Sequence, residues 1–287
     1  MSAFFSSVKA TICMVLSFIT AIFGCGFPER ATKDLVPDDA VRIMSFNIRC
    51  GEIEQRYNIV PQLIGEYMPD SVGVQECTFD WFLTFKVFLP EYEFVGVGRD
   101  TGNKMPNCGE MSAVLYRKDK YKLVDSGTFW LSETPNEISY GWDAACRRIC
   151  TWVVLENKET GEQYAHVNTH LDHEGNLARQ YGSELVLEKV KSFSIPAVLT
   201  GDFNFKKGCD YYSNLITKGL VDTQDIADVT MNGKTYHGYK GGEEGKPIDY
   251  ILTDGMPDEV KTYKIVRDMY GQQYSSDHYP IYADIVF

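Results

Sequence analysis

In Val41-Arg-Ile-Met-Ser-Phe46 the side chains alternate as they do along a β-strand. Ile59, Val60, Leu63, Ile64 and Tyr67 then recur at intervals of three and four, which predicts a helix that tolerates Pro61 only in its first turn. Ser71–Gln75 reads as the next strand. Further strands are predicted at 94–97, 111–116, 151–155, 164–169, 197–200, 249–253 and 281–286, with helices near 80–88, 176–193 and 210–218. The order begins βαβ and becomes rich in strands, which predicts an α+β sandwich of stacked sheets covered by helices rather than a doubly wound parallel sheet. Trp81, Phe82, Phe85 and Phe88 could form a membrane stripe, but their helical spacing is better explained by core packing.

The N-terminal pattern differs. Lys9 precedes the apolar run Thr11–Phe23, which is short for a membrane span and suits the apolar core of a signal peptide. Residues 1–25 are therefore read as a targeting segment, 26–39 as a polar linker and 40–287 as one domain. Ile22-Phe-Gly-Cys25 is similar to a bacterial lipoprotein box, so the protein is expected to be exported, with Cys25 a candidate lipid anchor; an ordinary cleaved signal or an uncleaved anchor is the alternative. Any membrane association would run through this segment alone.

Composition narrows the function. The 287 residues are 44% apolar and 24% charged, enough for a substantial core and incompatible with disorder or a multi-span membrane protein. Lys plus Arg number 28 against 40 Asp plus Glu, a net charge of −12 that repels long polyanions and argues against a general nucleic-acid scaffold. Beyond Cys13 and Cys25 the cysteines stand at 50, 77, 108, 146, 150 and 209, without CxxC or zinc-ribbon spacing. Export would permit one or two disulfides, and buried free thiols are the alternative.

Polar residues recur where the apolar strands end: Asn47, Gln75-Glu76, Asn168-Thr-His-Leu-Asp-His173, Gly201-Asp-Phe-Asn204, Asp249 and Ser276-Asp-His278. Strand ends cluster at one rim, which would bring Glu76, Asp202, Asp249 and Asp277 beside imidazoles and carboxamides. Four carboxylates so placed raise one another's pKa unless a cation joins them. Oxygen donors without thiolates favour Mg²⁺ or Mn²⁺, and phosphoryl transfer suits such equipment because it depends on positioning and charge neutralisation. Each signal alone is weak, since Gly201-Asp202 and Asp277-His278 suit plain turns and Asn47 a strand cap. Their combination is not.

In that combination, Ser45-Phe-Asn47, Val74-Gln-Glu76, Asn168-Thr-His170, Thr200-Gly-Asp-Phe-Asn204, Ile248-Asp-Tyr250 and Ser276-Asp-His-Tyr-Pro280, the chain resembles the endonuclease/exonuclease/phosphatase superfamily, which includes deoxyribonuclease I, exonuclease III and inositol polyphosphate 5-phosphatases. The resemblance spans about residues 40 to 287. It implies a four-layer sandwich of two stacked mixed β-sheets flanked by helices. It implies that Glu76 binds the metal with Asn47 and Asp277 beside it, that Asp202 and Asn204 position the attacking water and the scissile phosphate, that Asp249 orients His278, and that His170 contacts a phosphate oxygen. Either Asp202 or His278 could remove the water's proton. The segments 96–100, 127–135 and 141–145 are similar to a bacterial subgroup.

Arg99, Arg147, Arg148 and Arg179 are candidate phosphate forks, although surface or structural ion pairing is the better explanation for any one of them taken alone. Other members often carry proline before the arginine where this chain has Cys146-Arg147. Asp172 and His173 are candidates to support the site from behind. Tyr236-His237-Gly-Tyr239 precedes a glycine-rich loop that lacks the Walker pattern, and is read as a rim through which His237 reaches substrate, or else as a solvated turn. The resemblance also places Cys108 and Cys146 in loops near the active-site rim, where a bridge could form if export oxidises them; two reduced thiols are the alternative.

The expected protein is thus an exported, monomeric, Mg²⁺- or Mn²⁺-dependent phosphoesterase that favours a small phosphate ester over long nucleic acid. An extracellular nuclease on DNA or RNA, and a catalytically inactive surface-binding module, are the rival readings.

Overall fold

Alternation along the strands builds the layers. In the computed structural model, which describes residues 32–287, β1 (Val41–Asn47) turns Ile43 into the space between two sheets and Met44 and Phe46 toward helices on the outer face. The expected targeting segment, with Cys13 and Cys25, lies outside the described residues. Among those described, no helix is long and apolar enough to cross a membrane.

The chain continues through α1 (Ile53–Arg56), α2 (Ile59–Tyr67), β2 (Ser71–Cys77), α3 (Phe79–Phe88), β3 (Tyr92–Val95), β4 (Met111–Arg117), β5 (Tyr121–Trp130), β6 (Ile149–Asn157) and β7 (Gln163–His170). It then forms α4 (Asn176–Lys191), β8 (Ala197–Asp202), α5 (Asp210–Thr217), β9 (Leu220–Asp222), α6 (Thr223–Ile226), β10 (Val229–Thr230), β11 (Asp249–Asp254), β12 (Glu259–Ile265), the small hairpin β13 (Met269–Tyr270) and β14 (Gln273–Tyr274), and β15 (Ile281–Val286).

Seven strands order as β10-β12-β15-β1-β2-β4-β3 and six as β5-β6-β7-β8-β11-β9. Both sheets are mixed, with β1–β2 and β7–β8 parallel among antiparallel neighbours. Met44, Phe46, Leu63, Ile64, Trp81 and Phe85 share the outer core under α2 and α3. Leu199, Val186, Leu187 and Leu215 share the opposite one under α4 and α5. Between the sheets lie Ile43, Val198, Ile251, Ile281 and Ile285. The result is the expected four layers, and Trp81 and Phe85 are core residues.

Six strands escaped the sequence pattern, the two-residue β10, β13 and β14 among them. β5 is a sheet edge with exposed Lys122, Asp125 and Val124, so no continuous buried face marks it. β12 interrupts its alternation at a bulge between Val260 and Thr262, and β9 has only three residues. All six described cysteines are free, Cys108 and Cys146 included, so no bridge staples those loops.

The space between the sheets changes character toward one end. On β1 the inward row runs Ile43, Ser45, Asn47; on β8 it runs Val198, Thr200, Asp202. Midway, Tyr164 donates to Ser71 Oγ (3.1 Å), Ser71 Oγ lies 2.7 Å from His166 Nδ1, His166 Nε2 lies 2.8 Å from Thr200 Oγ1, and Thr200 donates to Asn168 Oδ1 (3.0 Å). A single proton ordering satisfies the row when His166 is neutral and protonated on Nε2. Gln75 donates to the same Asn168 oxygen at 2.8 Å, tying β2 to β7 across the interior.

Candidate active site

Register assembles the polar ends. Asp202 on β8 is paired with His170 on parallel β7 and with Asp249 on antiparallel β11, while Asn47 on β1 is paired with Gln75 on β2. Glu76 follows at a register shift between Val74 and Cys77, with φ of 58°. Such a bulge re-aims a side chain, here from the strand face toward the rim. Asn204 (φ 52°) and Arg49 (φ 57°) also occupy the left-handed region, which is uncommon outside glycine and clusters at functional sites.

Asn47 Nδ2 donates to both Glu76 Oε1 and Asp202 Oδ2 at 3.0 Å, so one carboxamide bridges two carboxylates. Its Oδ1 accepts from the Arg49 backbone N–H, and the Cys50 N–H donates to Glu76 Oε2. Ser276 Oγ donates to the Asn47 carbonyl at 2.7 Å, which fixes the Ser276-Asp-His278 segment against β1. Arg49 Nη1 donates to Asp277 Oδ2 at 2.6 Å. Asn204 Nδ2 donates to His170 Nε2 and to the Leu171 carbonyl, both at 3.0 Å. The His170 proton therefore sits on Nδ1, which is buried without a partner among the described residues.

His278 Nδ1 lies 2.9 Å from Asp249 Oδ2 and its Nε2 lies 3.6 Å from Asp202 Oδ2. Burial works against its positive charge, but Asp249 and Asp202 together outweigh burial and push its pKa up to about 10. Burial, reinforced by the charge of Asp249, raises Asp202 to about 7. Burial holds His170 well below the usual histidine range, with Arg148 and His278 adding repulsion. The two imidazoles thus sit in opposite fields: the flanking carboxylates favour the protonated form of His278, while burial and neighbouring cations favour the neutral form of His170.

A cleft of about 340 Å³ opens on this rim, lined by Glu76, Arg99, Glu110, Cys146, Arg148, His170, His173, Asp202, Asn204, Tyr236, Asp277 and His278. Asn47 and Asp249 lie directly behind it through the hydrogen bonds above. Arg99 enters paired with Glu110 (2.8 Å), whose pKa burial raises. Of the arginines considered from sequence, Arg99 and Arg148 reach the cleft and two do not. Arg147 pairs with Asp100 and stacks on Tyr140. Arg179 donates to the Asp172 carbonyl and to Asn176, at the start of α4. His237 is also outside the lining: its ring stacks on Tyr279 at 4.0 Å and burial lowers its pKa to about 4. The reason is alternation, because Tyr236 forms a β-bridge with His278 and faces the cleft, so its neighbour faces the other way.

Sequence reading missed Arg49 and Glu110. The first stands two residues beyond Asn47, where the left-handed turn folds it back onto Asp277. The second precedes β4 with nothing in its local sequence to mark it.

The donor set suits a hard divalent cation. Glu76 and Asp277 offer carboxylate oxygens to the cleft. Separately, Asp202, Asp249 and His278 present ligand atoms within 4.8 Å of one another, and Asp249 Oδ1 is buried with no partner among the described residues. A buried carboxylate oxygen left in that state is costly without a cation or a proton donor.

Comparison with known proteins agrees with this chemistry. The pattern of the endonuclease/exonuclease/phosphatase family matches residues 44–278. A family protein of known structure from Bacteroides thetaiotaomicron is 34% identical, with a TM-score of 0.80 over 86% of this chain and 98% of that one. A mannosyl-6-phosphatase from the same organism is 35% identical, with a TM-score of 0.80 over 86% of this chain and all of the other. A Bacteroides vulgatus family protein is 37% identical, with a TM-score of 0.78 over 86% and 98%. A comparison with curated proteins gives no match.

Proposed function

Because the chain belongs to the endonuclease/exonuclease/phosphatase family, whose members are hydrolases of phosphoester bonds, we propose that it is an exported, Mg²⁺- or Mn²⁺-dependent hydrolase of a small phosphate ester. A phosphomonoester of a hexose is the favoured substrate. The observation that carries this reading is the meeting of Asp202, the Asp249–His278 pair and two arginines in one cleft small enough for a phosphate and a single ring. The 35% identical mannosyl-6-phosphatase supports the sugar, and the net charge of −12 supports a small anion over a polymer.

Glu76, with Asp277 beside it, would hold the cation, which when bound would neutralise charge on the phosphate and favour ionisation of water. Asn47 keeps Glu76 and Asp202 at a fixed separation by donating to both. Arg99 and Arg148 bind the phosphate oxygens, and Asn204 holds His170 so that its ring faces the same space. Asp202 is placed to take the proton of an attacking water. His278, kept protonated by Asp249, opposes negative charge as it grows on the phosphoryl group. The attack is a direct in-line displacement, with no covalent enzyme intermediate.

A screen of hexose phosphates, nucleotides, lipid headgroup phosphates and polynucleotides with Mg²⁺ or Mn²⁺ tests the proposal. Hydrolysis of a small monoester, abolished by chelation, is expected. Activity confined to polynucleotides would install the nuclease reading, and no activity on any member of the set would favour a binding module.

A further inference from the structure

Asp172 is buried to 1% exposure, yet lies outside the cleft lining. Its two oxygens have separate duties. Oδ1 accepts the backbone N–H groups of Gly175 (2.8 Å), Glu174 (3.0 Å) and Ala145 (3.2 Å), closing the turn before α4 and tying it to the loop that precedes β6. Oδ2 accepts the Cys146 N–H at 3.3 Å and faces Arg148 Nε at 3.4 Å. The same loop is pinned from its other side by Asp143, which accepts the N–H groups of Leu177 and Ala178 in the first turn of α4.

Arg148 is held from a second direction, since its Nη2 lies 3.0 Å from His173 Nδ1. Its carbonyl is fixed by the Leu131 N–H. With Nε and Nη2 so engaged, Nη1 makes no hydrogen bond among the described residues; the side chain lines the cleft, and its ion pair among the described residues is with Asp172. Arg99, by contrast, enters the cleft already paired with Glu110.

We propose that Asp172 is a positioning residue that acts through Arg148: Oδ2 and His173 fix the guanidinium plane so that its remaining edge presents to a phosphate dianion in the cleft. This deepens the functional reading above and rests on it. A flexible arginine would have to be ordered by each ligand, whereas a clamped one has already lost that freedom, and the saved entropy appears as affinity.

The division of labour between the oxygens supplies a selective test. In Asp172→Asn, Oδ1 can keep the three N–H groups of the turns, while an amide NH₂ replaces Oδ2 and faces two donors. Inorganic phosphate binding, followed by calorimetry on the whole metal-supplemented protein, is the readout, together with KM for whichever monoester is hydrolysed. Loss of one charge-assisted contact predicts phosphate binding weaker by about tenfold or more. In an Arg148→Ala background the same substitution should change affinity by less than about twofold, because the residue through which it acts is gone. His173→Ala, a change at an exposed side chain, should weaken phosphate in the same direction, which guards against Asp172→Asn failing to fold. Equal losses in both backgrounds, or Asp172→Asn and His173→Ala binding phosphate as wild type does, overturn the inference alone. Wild-type protein that neither binds phosphate nor hydrolyses any phosphate ester overturns the functional reading, and this inference with it.

Discussion

Asp202 and Asp249 are register partners across antiparallel β8 and β11, so the sheet sets two buried carboxylates side by side, and His278 lies 2.9 Å from one and 3.6 Å from the other. Neither carboxylate can be ionised cheaply without that ring or a metal. Asp202→Asn and His278→Ala should each lower kcat by about 10²–10⁴-fold. Because the groups share one proton balance, the double variant should be little worse than the poorer single variant. Steady-state kinetics on all three decide it: losses that multiply would show that the two residues serve independent steps.

Metal dependence is tested at Glu76, whose Oε1 and Oε2 are already oriented by Asn47 and Cys50. Glu76→Gln preserves shape and removes charge, so turnover should fall by orders of magnitude while circular dichroism is unchanged. EDTA should abolish wild-type activity and Mg²⁺ or Mn²⁺ restore it. Full activity in EDTA would remove the metal from the mechanism.

The polar row between the sheets makes stability depend on pH. Burial lowers His166 from 6.5 to about 3, so the folded state binds fewer protons than the unfolded state between those values. Stability due to this group is complete above pH 6.5 and is lost as pH falls toward about 3, at about 1.4 kcal/mol per pH unit. Urea denaturation at pH 7 and pH 5 should show that loss, and His166→Gln, which cannot titrate, should show a shallower one. Parallel slopes for the two proteins would contradict the assignment.

Gly73 lies within the same row, where an added Cβ would come 2.1 Å from Thr200 Oγ1 and 2.5 Å from Asn168 Oδ1. Gly73→Ala must therefore push the two sheets apart or break the Asn168 hydrogen bonds. A destabilisation of about 1–3 kcal/mol is expected from overpacking alone, read as a lower urea midpoint. A midpoint equal to wild type would mean that the sheets separate without cost.

How far the site could be read from sequence follows from where each residue gets its position. Strand ends carry their chemistry in order along the chain, and Asn47, His170, Asp202 and Asp249 meet simply because adjacent strands end at one rim. Loop residues do not obey that rule. Arg147 and Arg148 are neighbours of identical chemistry, and partners distant in sequence distinguish them: Asp172 and His173, just past β7, hold Arg148 at the cleft, while Asp100 and Tyr140 hold Arg147 away from it. His237 and Tyr236 are separated by a one-residue alternation that the glycine-rich sequence around them does not reveal. Arg49 depends on a left-handed backbone that no composition rule requires there. For the fold, β1, β2 and β8 announce themselves through buried alternation, whereas β5, exposed at a sheet edge, has too little buried surface to leave a pattern.

Substrate size is where charge and kinship make opposite demands. The resemblance takes in deoxyribonuclease I, a nuclease, while the chain's own charge favours a small anion. Duplex binding draws most of its non-specific affinity from counterion release by several basic contacts. Here the cleft holds Arg99, already paired with Glu110, and Arg148, clamped by Asp172, on a chain of net charge −12. Those two guanidiniums can grip one phosphate but cannot follow a backbone. A hexose or nucleotide monophosphate should therefore be hydrolysed with a kcat/KM much higher than that for duplex DNA, compared with the same metal at about 0.15 M ionic strength, where the Debye length is about 8 Å. Low salt would flatter the polymer by extending weak attraction to scattered lysines, so the comparison is decisive only at that strength. Efficient plasmid cleavage under these conditions, with no turnover of small esters, would move the protein to the nucleases.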